Sequence, residues 1–159
     1  VRMIRSHGRQ GTGDAAMVLG LTGRLDTIQA AVLLVKLDVF DVELERRRAI
    51  AARYNAGLAG VVGVPSIPAD RDSAFAIYTI RTAHRDRVRT LLDEAGIGTG
   101  LFYRLALHQH PAFRDYAVRS LPVSEQLANE VIALPMHPDL SDEEVDRVIA
   151  AVRHAVAKA

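Results

Sequence analysis

At 159 residues and 49% hydrophobic content, the chain is long enough for one domain with a real core, or for a piece of a larger one. Twenty lysines and arginines against 19 acidic residues leave a net charge of +1, so charge points to neither a nucleic acid nor an acidic partner. The absence of cysteine excludes a disulfide framework, a thiol nucleophile and cysteine-based metal sites, and it fits a reducing, cytoplasmic setting.

The chain opens on Val1-Arg2-Met3-Ile4-Arg5, which reads as the last turn of a helix already under way and predicts a segment cut from a longer polypeptide. Nothing up to Gly13 has the apolar core of a signal peptide, and no apolar run approaches the roughly 20 residues that span a bilayer. A protein free of the membrane is expected. Three glycines between Gly8 and Gly13 have a phosphate-cradle composition, but no strand precedes them, and a loop is the better reading.

From Leu25 the apolar residues Leu25, Ile28, Ala31, Val32 and Val35 recur at helical spacing, with Asp26 placed to favour the helix dipole. The helix continues or restarts after Asp41 and runs through Tyr54 until Gly57 and Gly60 end it. Pro65 and Pro68 allow at most a short edge strand after Gly63. Ala74 to Arg81 is rich in aromatic and β-branched residues and predicts a strand. Arg85 to Ala95 predicts a helix that turns Val88, Leu91 and Leu92 inward and stops at Gly96, and Ile97 to Tyr103 a third strand. An irregular stretch bearing His and Pro leads to a helix over Val123 to Ala133, then a turn over Leu134 to Pro138. The last helix starts at Ser141, which forms a capping box with Glu144 and buries Val145, Val148, Ile149, Val152 and Val156. The expected fold is α+β, a long N-terminal helix followed by a small, mostly antiparallel sheet covered by helices. The expected division is 1–24, a connecting helix over 25–60, and an α+β domain over 61–159. The opening helix carries enough apolar surface to call for a partner.

Hydrolytic chemistry has no support, because the chain has no Gly-x-Ser-x-Gly elbow and no Ser-x-x-Lys pair. His108 and His110 are two residues apart, but without a third ligand at useful spacing they read as loop anchors rather than as a metal site. Asp142, Glu143 and Glu144 compensate a helix dipole, His137 reads as a turn-stabilising imidazole, and Arg46-Arg47-Arg48 reads as a solvated face.

Gly20, Thr22, Arg24, Leu25, Asp26, Gln29, Ala30 and Ala31 follow the pattern Gly-x-Asn-x-Arg-Leu-Asp-x-x-Gln-Ala-Ala of the DegT/DnrJ/StrS family of sugar aminotransferases that use pyridoxal phosphate, and the chain resembles that family throughout. Arg5-Ser6-His7-Gly8 is similar to its Arg-Asn-His-Gly, Gly96-Ile97-Gly98-Thr99 to its Gly-Ile-x-Thr, and Leu134-Pro135-Met136-His137-Pro138 to its Leu-Pro-Met-His-Pro. Leu107-His108-Gln109-His110-Pro111-Ala112-Phe113 is similar to Leu-His-x-Gln-Pro-Ala-Tyr/Phe, and Ser73 to Arg81 most resembles the branch acting at carbon 3 of UDP-sugars.

The resemblance covers the C-terminal portion of a family member and implies transfer of an amino group from glutamate to the keto group of a nucleotide sugar. It implies pyridoxal 5'-phosphate for the complete enzyme and probes the lysine inventory, since the family's Schiff-base lysine lies upstream of this segment. Only Lys36 and Lys158 occur here, and neither matches it, so the chain alone is expected to be inactive and to bind no cofactor. The resemblance also implies a homo-oligomer or a companion chain that carries the lysine. Thr22 stands where the family keeps the Asn that reaches the neighbouring cofactor phosphate. Arg24 is implied to meet substrate phosphate or carboxylate. In the family's His-Tyr-Pro-x-Pro-Leu-His motif, Tyr103 and His108 are retained as substrate-binding residues, while the first His is Phe102 and the prolines are Arg104 and Ala106. The alternative is a non-catalytic oligomerisation or binding module.

Overall fold

The computed structural model describes residues 1–11, 15–116 and 119–159. The predicted long helix is two helices. The first, α1 (Thr27–Leu37), starts on Asp26, whose carboxylate accepts from the backbone N–H of Ile28 at 2.8 Å and of Gln29 at 3.4 Å, so the residue expected inside the first turn is the cap itself. It ends at Asp38, and α2 (Phe40–Leu58) follows after a break at Asp38 and Val39. Gly57 does not end α2. It is a helical position where a Cβ would come within 2.7 Å of Ile149, so it lets the last helix approach, and Gly60, at φ +76°, is the stop.

The chain forms two compact units, Val1–Asp41 and Val42–Ala159. In the first, Val1 to Arg5 is a single turn closed by the Arg5 N–H on the Val1 carbonyl at 3.0 Å. The segment beyond it lies along residues 16–23: the Leu21 N–H donates to Ile4 O at 2.8 Å and the Gly23 N–H to Arg5 O at 2.9 Å. Gly8 and Gly20 permit this approach, since a Cβ on Gly8 would fall 1.8 Å from the Val18 carbonyl oxygen and one on Gly20 2.1 Å from the Gly8 nitrogen. Thr12 and Gly13, part of the expected glycine loop, lie outside the described residues.

In the second unit, β1 (Tyr78–Arg81) pairs antiparallel with β2 (Val131–Leu134), Tyr78 opposite Leu134 and Arg81 opposite Val131. The sequence reading placed the start of β2 in a helix and its end in a turn. Instead, α4 (Pro122–Glu130) stops at Val131, where the backbone turns extended and the apolar run Val131-Ile132-Ala133-Leu134 is drawn into the core by β1. The expected strands at the flanks shrink to single pairs. Gly63 exchanges both backbone hydrogen bonds with Arg81, and Gly100 exchanges both with Ala133, at 2.8–3.0 Å. Prolines limit the first, and the glycines at 98 and 100 weaken the second. β1 likewise starts only at Tyr78, since Phe75 has φ 43°.

Helices α2, α3 (Arg85–Glu94) and α5 (Asp142–Ala157) cover this sheet. Ile50, Ala51, Tyr54 and Leu58 form one buried face of α2, Val88 and Leu92 that of α3, and Val145, Val148 and Val152 that of α5. The capping box at Ser141 and Glu144 is present as expected. The Tyr54 and Tyr78 rings meet at a 44° tilt with centroids 4.9 Å apart; the Tyr54 hydroxyl donates to Pro135 O at 2.9 Å and the Tyr78 hydroxyl to Asn55 Oδ1 at 2.6 Å. Arg46 and Arg47 are not a solvated face. They are half-buried and donate to the carbonyls of Leu140 and Met136, tying α2 to the segment before α5. Arg53 holds Asp146 through two hydrogen bonds of 2.6 Å, and this bidentate pair keeps the Asp146 carboxyl below the usual carboxylate range.

Candidate functional site

The stretch after Gly100 carries the candidate site. It leaves the sheet at Leu101 and passes through two short 3₁₀ segments, Leu107–Gln109 and Pro111–Tyr116, before α4. Gln109 closes the first by accepting the Ala106 N–H on its side-chain carbonyl at 3.0 Å. Pro122 suits the first position of α4, where no backbone N–H is required. Together these pieces enclose a pocket of about 570 Å³ whose walls include Phe102, Tyr103, Leu105, His108, Phe113 and Tyr116. The Phe102 and Tyr103 rings meet edge to face at 5.9 Å.

His108 is fixed from behind. Its Nε2 lies 2.9 Å from Glu125 Oε1, and that same oxygen accepts from the Ser120 hydroxyl at 2.9 Å and the Leu121 N–H at 2.8 Å. The Leu121 N–H first, then His108 and Ser120, hold the Glu125 carboxyl below its ordinary range. An ionised carboxylate can only accept, so Nε2 carries the proton and Nδ1 is the ring atom left for a ligand. Glu125 was missed in the sequence because it lies 17 residues from His108. The signal that was available is local: a Glu in the first turn of a helix entered through Ser120-Leu121-Pro122, placed to reach back to its start.

Tyr103 and His108 are thus brought onto one pocket. Thr22 and Arg24 belong to the first unit. There Thr22 bridges to Ser6, and its hydroxyl lies 3.4 Å from His7 Nε2, a long contact that leaves the group available. Arg24 is exposed and has no ion pair among the described residues. The described residues include no group of three His, Asp or Glu that could hold a metal, and His110 is half-buried without a place in the pocket wall.

Covalent attachment of pyridoxal phosphate requires a lysine amine beside the reacting centre. Lys36 is exposed on α1 and Lys158 is exposed at the end of α5, and neither lines the pocket. A Schiff-base site therefore does not fit on these residues.

A family model described as the DegT/DnrJ/EryC1/StrS aminotransferase family matches residues 1–153. The chain is 37% identical over 153 residues to a UDP-2-acetamido-2-deoxy-3-oxo-D-glucuronate aminotransferase of Pseudomonas aeruginosa, covering 96% of this chain and 42% of that protein. It is 40% identical over 158 residues to a dTDP-3-amino-3,4,6-trideoxy-α-D-glucose transaminase of Streptomyces venezuelae, covering 96% and 41%. Among solved structures, a DegT DnrJ EryC1 StrS aminotransferase from Brucella abortus superimposes with a TM-score of 0.91 at 42% identity, over 96% of this chain and 42% of that one. The chain thus spans less than half the length of these relatives and corresponds to their C-terminal portion. With an order of motifs that holds from Arg5 to Pro138 and a fold shared at that level, the chain belongs to the DegT/DnrJ/EryC1/StrS aminotransferase family.

Proposed function

We propose that this chain supplies the substrate-facing part of a nucleotide-sugar aminotransferase, which moves an amino group from glutamate to the keto group of the sugar. The observation that carries the reading is the convergence of Tyr103 and a braced His108 on one pocket in a chain of this family. The sugar enters that pocket, where the Tyr103 hydroxyl and His108 Nδ1 hold its oxygens. The first unit offers Arg24 as a charge-assisted partner to a substrate phosphate or carboxylate and Thr22 as one hydroxyl hydrogen bond to a cofactor phosphate, both in the site of a neighbouring subunit. Pyridoxal phosphate supplies the electron sink for the complete enzyme. Its lysine belongs to another polypeptide segment, because Lys36 and Lys158 are placed for solvent, and the chain alone does not transaminate.

The partner reading rests on α1, which has no buried residue and exposes Ile28, Val32, Leu33, Leu34, Val35 and Leu37. The relatives are more than twice as long as the matched segment, and we assign the α1 surface to the lysine-bearing part, in a cytoplasmic oligomer. Among the described residues no helix is long and apolar enough to cross a membrane. The relatives' names span a glucuronate derivative and a trideoxyglucose, so family membership leaves the sugar open.

Titration with UDP-glucose, followed through the His108 ring protons by NMR, tests the pocket. Saturable movement of those resonances is expected, with binding weakened about fivefold by Tyr103→Phe, the effect of one lost hydrogen bond of about 1 kcal/mol. Unmoved His108 resonances, or unchanged affinity in Tyr103→Phe, would contradict the assignment.

A further inference from the structure

We propose that Glu125 is the positioning residue of this pocket: from outside the wall it holds the His108 ring so that Nδ1 serves the ligand as an acceptor for a sugar hydroxyl. The inference rests on the reading that the pocket binds the sugar, and it names the residue through which His108 does so.

One carboxylate oxygen joins separate pieces of the chain. Glu125 lies in the first turn of α4 and is not part of the pocket wall. Its Oε1 meets His108 Nε2, from the 3₁₀ segment Leu107–Gln109, and the N–H of Leu121, the residue before α4. His108 and Leu121 both line the pocket, so this oxygen ties one wall to another. The His108 and Glu125 side chains are only 17% and 29% exposed, which limits the screening of the carboxylate by water.

The donors define the chemistry. The Leu121 N–H has a direction set by the backbone and can only donate, so the oxygen it meets is an acceptor. The Ser120 hydroxyl donates to the same oxygen at 2.9 Å, which leaves no lone pair there for a carboxyl proton, and the ring atom at 2.9 Å brings the hydrogen. A neutral imidazole with its proton on Nε2 keeps a lone pair on Nδ1. Without this partner the ring is free to turn and exchange the positions of its two nitrogens, and ordering it would cost the ligand affinity. With it, the ring is oriented before a ligand arrives, the role that a supporting carboxylate has behind metal-binding and proton-transferring histidines. Removing the Glu125 carboxylate leaves α4 anchored by a separate bond, since Arg85 Nη1 donates to the Ala128 carbonyl at 2.9 Å.

The test is NMR and calorimetry on the 159-residue chain with UDP-glucose, at about pH 8, where an ordinary imidazole is neutral. The His108 ring is expected in the Nε2–H form, with that proton slow to exchange with water. Glu125→Ala is expected to abolish the slow exchange and to weaken UDP-glucose about fivefold, within the coupling found between hydrogen-bonded neighbours. Glu125→Gln keeps an accepting oxygen and is expected to restore the slow exchange and to bring affinity within about twofold of wild type. In a His108→Ala background, Glu125→Ala is expected to weaken binding by less than about twofold further, because the two residues act as one. A ring in the Nδ1–H form overturns the inference, as does Glu125→Gln binding no better than Glu125→Ala. A loss that is equal with and without His108 places the effect in α4 and overturns it too. Wild-type affinity in Glu125→Ala overturns the inference and leaves the sugar-binding reading standing. If UDP-glucose neither moves the His108 resonances of the wild type nor gives a calorimetric signal, that reading itself fails, and the inference with it.

Discussion

Tyr54→Ala is expected to lower the stability of the second unit by about 3–5 kcal/mol, the range for removing a fully buried aromatic ring. Tyr54 is 0% exposed in the core, its ring packs at a tilt against Tyr78, and its hydroxyl satisfies Pro135 O. Truncation opens a cavity between α2 and the sheet and leaves a carbonyl without its donor. Against a typical total of 5–15 kcal/mol, this is a large fraction of what holds the unit folded. At about 4 °C per kcal/mol, thermal unfolding should move down by about 10–20 °C. Tyr54→Phe keeps the ring and should cost only about 1 kcal/mol. It should also change the alkaline limb. Burial pushes the Tyr54 phenol up to about 12 in the folded state, against about 10 unfolded, so its contribution is complete below pH 10 and is lost as pH rises toward 12. In Tyr54→Phe the decline over that window should be shallower, with Tyr78, likewise raised by burial, supplying the remainder. Thermal melts across this pH range check both statements.

The second large effect concerns association. Ile28, Val32 and Val35 form one stripe of α1, and Val32 and Val35 are 53% and 70% exposed. Val32→Asp with Val35→Asp is expected to weaken binding of this chain to the lysine-bearing N-terminal part of a family member by more than about 100-fold, since each valine contributes about 1.5–3 kcal/mol when covered. The carboxylates would also be buried without partners. The melting transition of the second unit should be unchanged in this variant. Analytical ultracentrifugation of the mixture reads the association directly, and wild-type binding by the double variant would remove α1 from the interface.

Much of the architecture was legible where local chemistry and tertiary packing agree. The α5 capping box, the α3 helix with its Gly96 stop, and the helical spacing from Leu25 each carry their own signal. The fold departs from the sequence reading where a distant partner decides. Val131 to Leu134 is too short an apolar run to separate strand from helix by periodicity, and only pairing with Tyr78 to Arg81 makes it a strand. Ile97 to Tyr103 has strand-like composition, but Phe102 and Tyr103 line the pocket and only Gly100 stays on the sheet. The site divides in the same way. Tyr103 and His108 stood out because they lie in one short motif, whereas Glu125 and the apolar walls come from other segments and meet only in the folded chain. Arg46 and Arg47 differ from the solvated face that the local charge pattern suggests because they donate to backbone carbonyls about 90 residues away, which leave no trace in that pattern.

Completion by this chain of an aminotransferase whose lysine lies on another segment, the role proposed above, is open to assay in trans. The direct measurement is amino transfer from glutamate to a keto nucleotide sugar in a mixture of this chain with the N-terminal part of the Streptomyces venezuelae relative. Turnover and the visible absorbance of lysine-bound pyridoxal phosphate are expected in the mixture, neither in this chain alone, with no loss on replacing Lys36 or Lys158 by alanine. A mixture no more active than the N-terminal part by itself, or turnover by this chain alone that depends on Lys36, would contradict it.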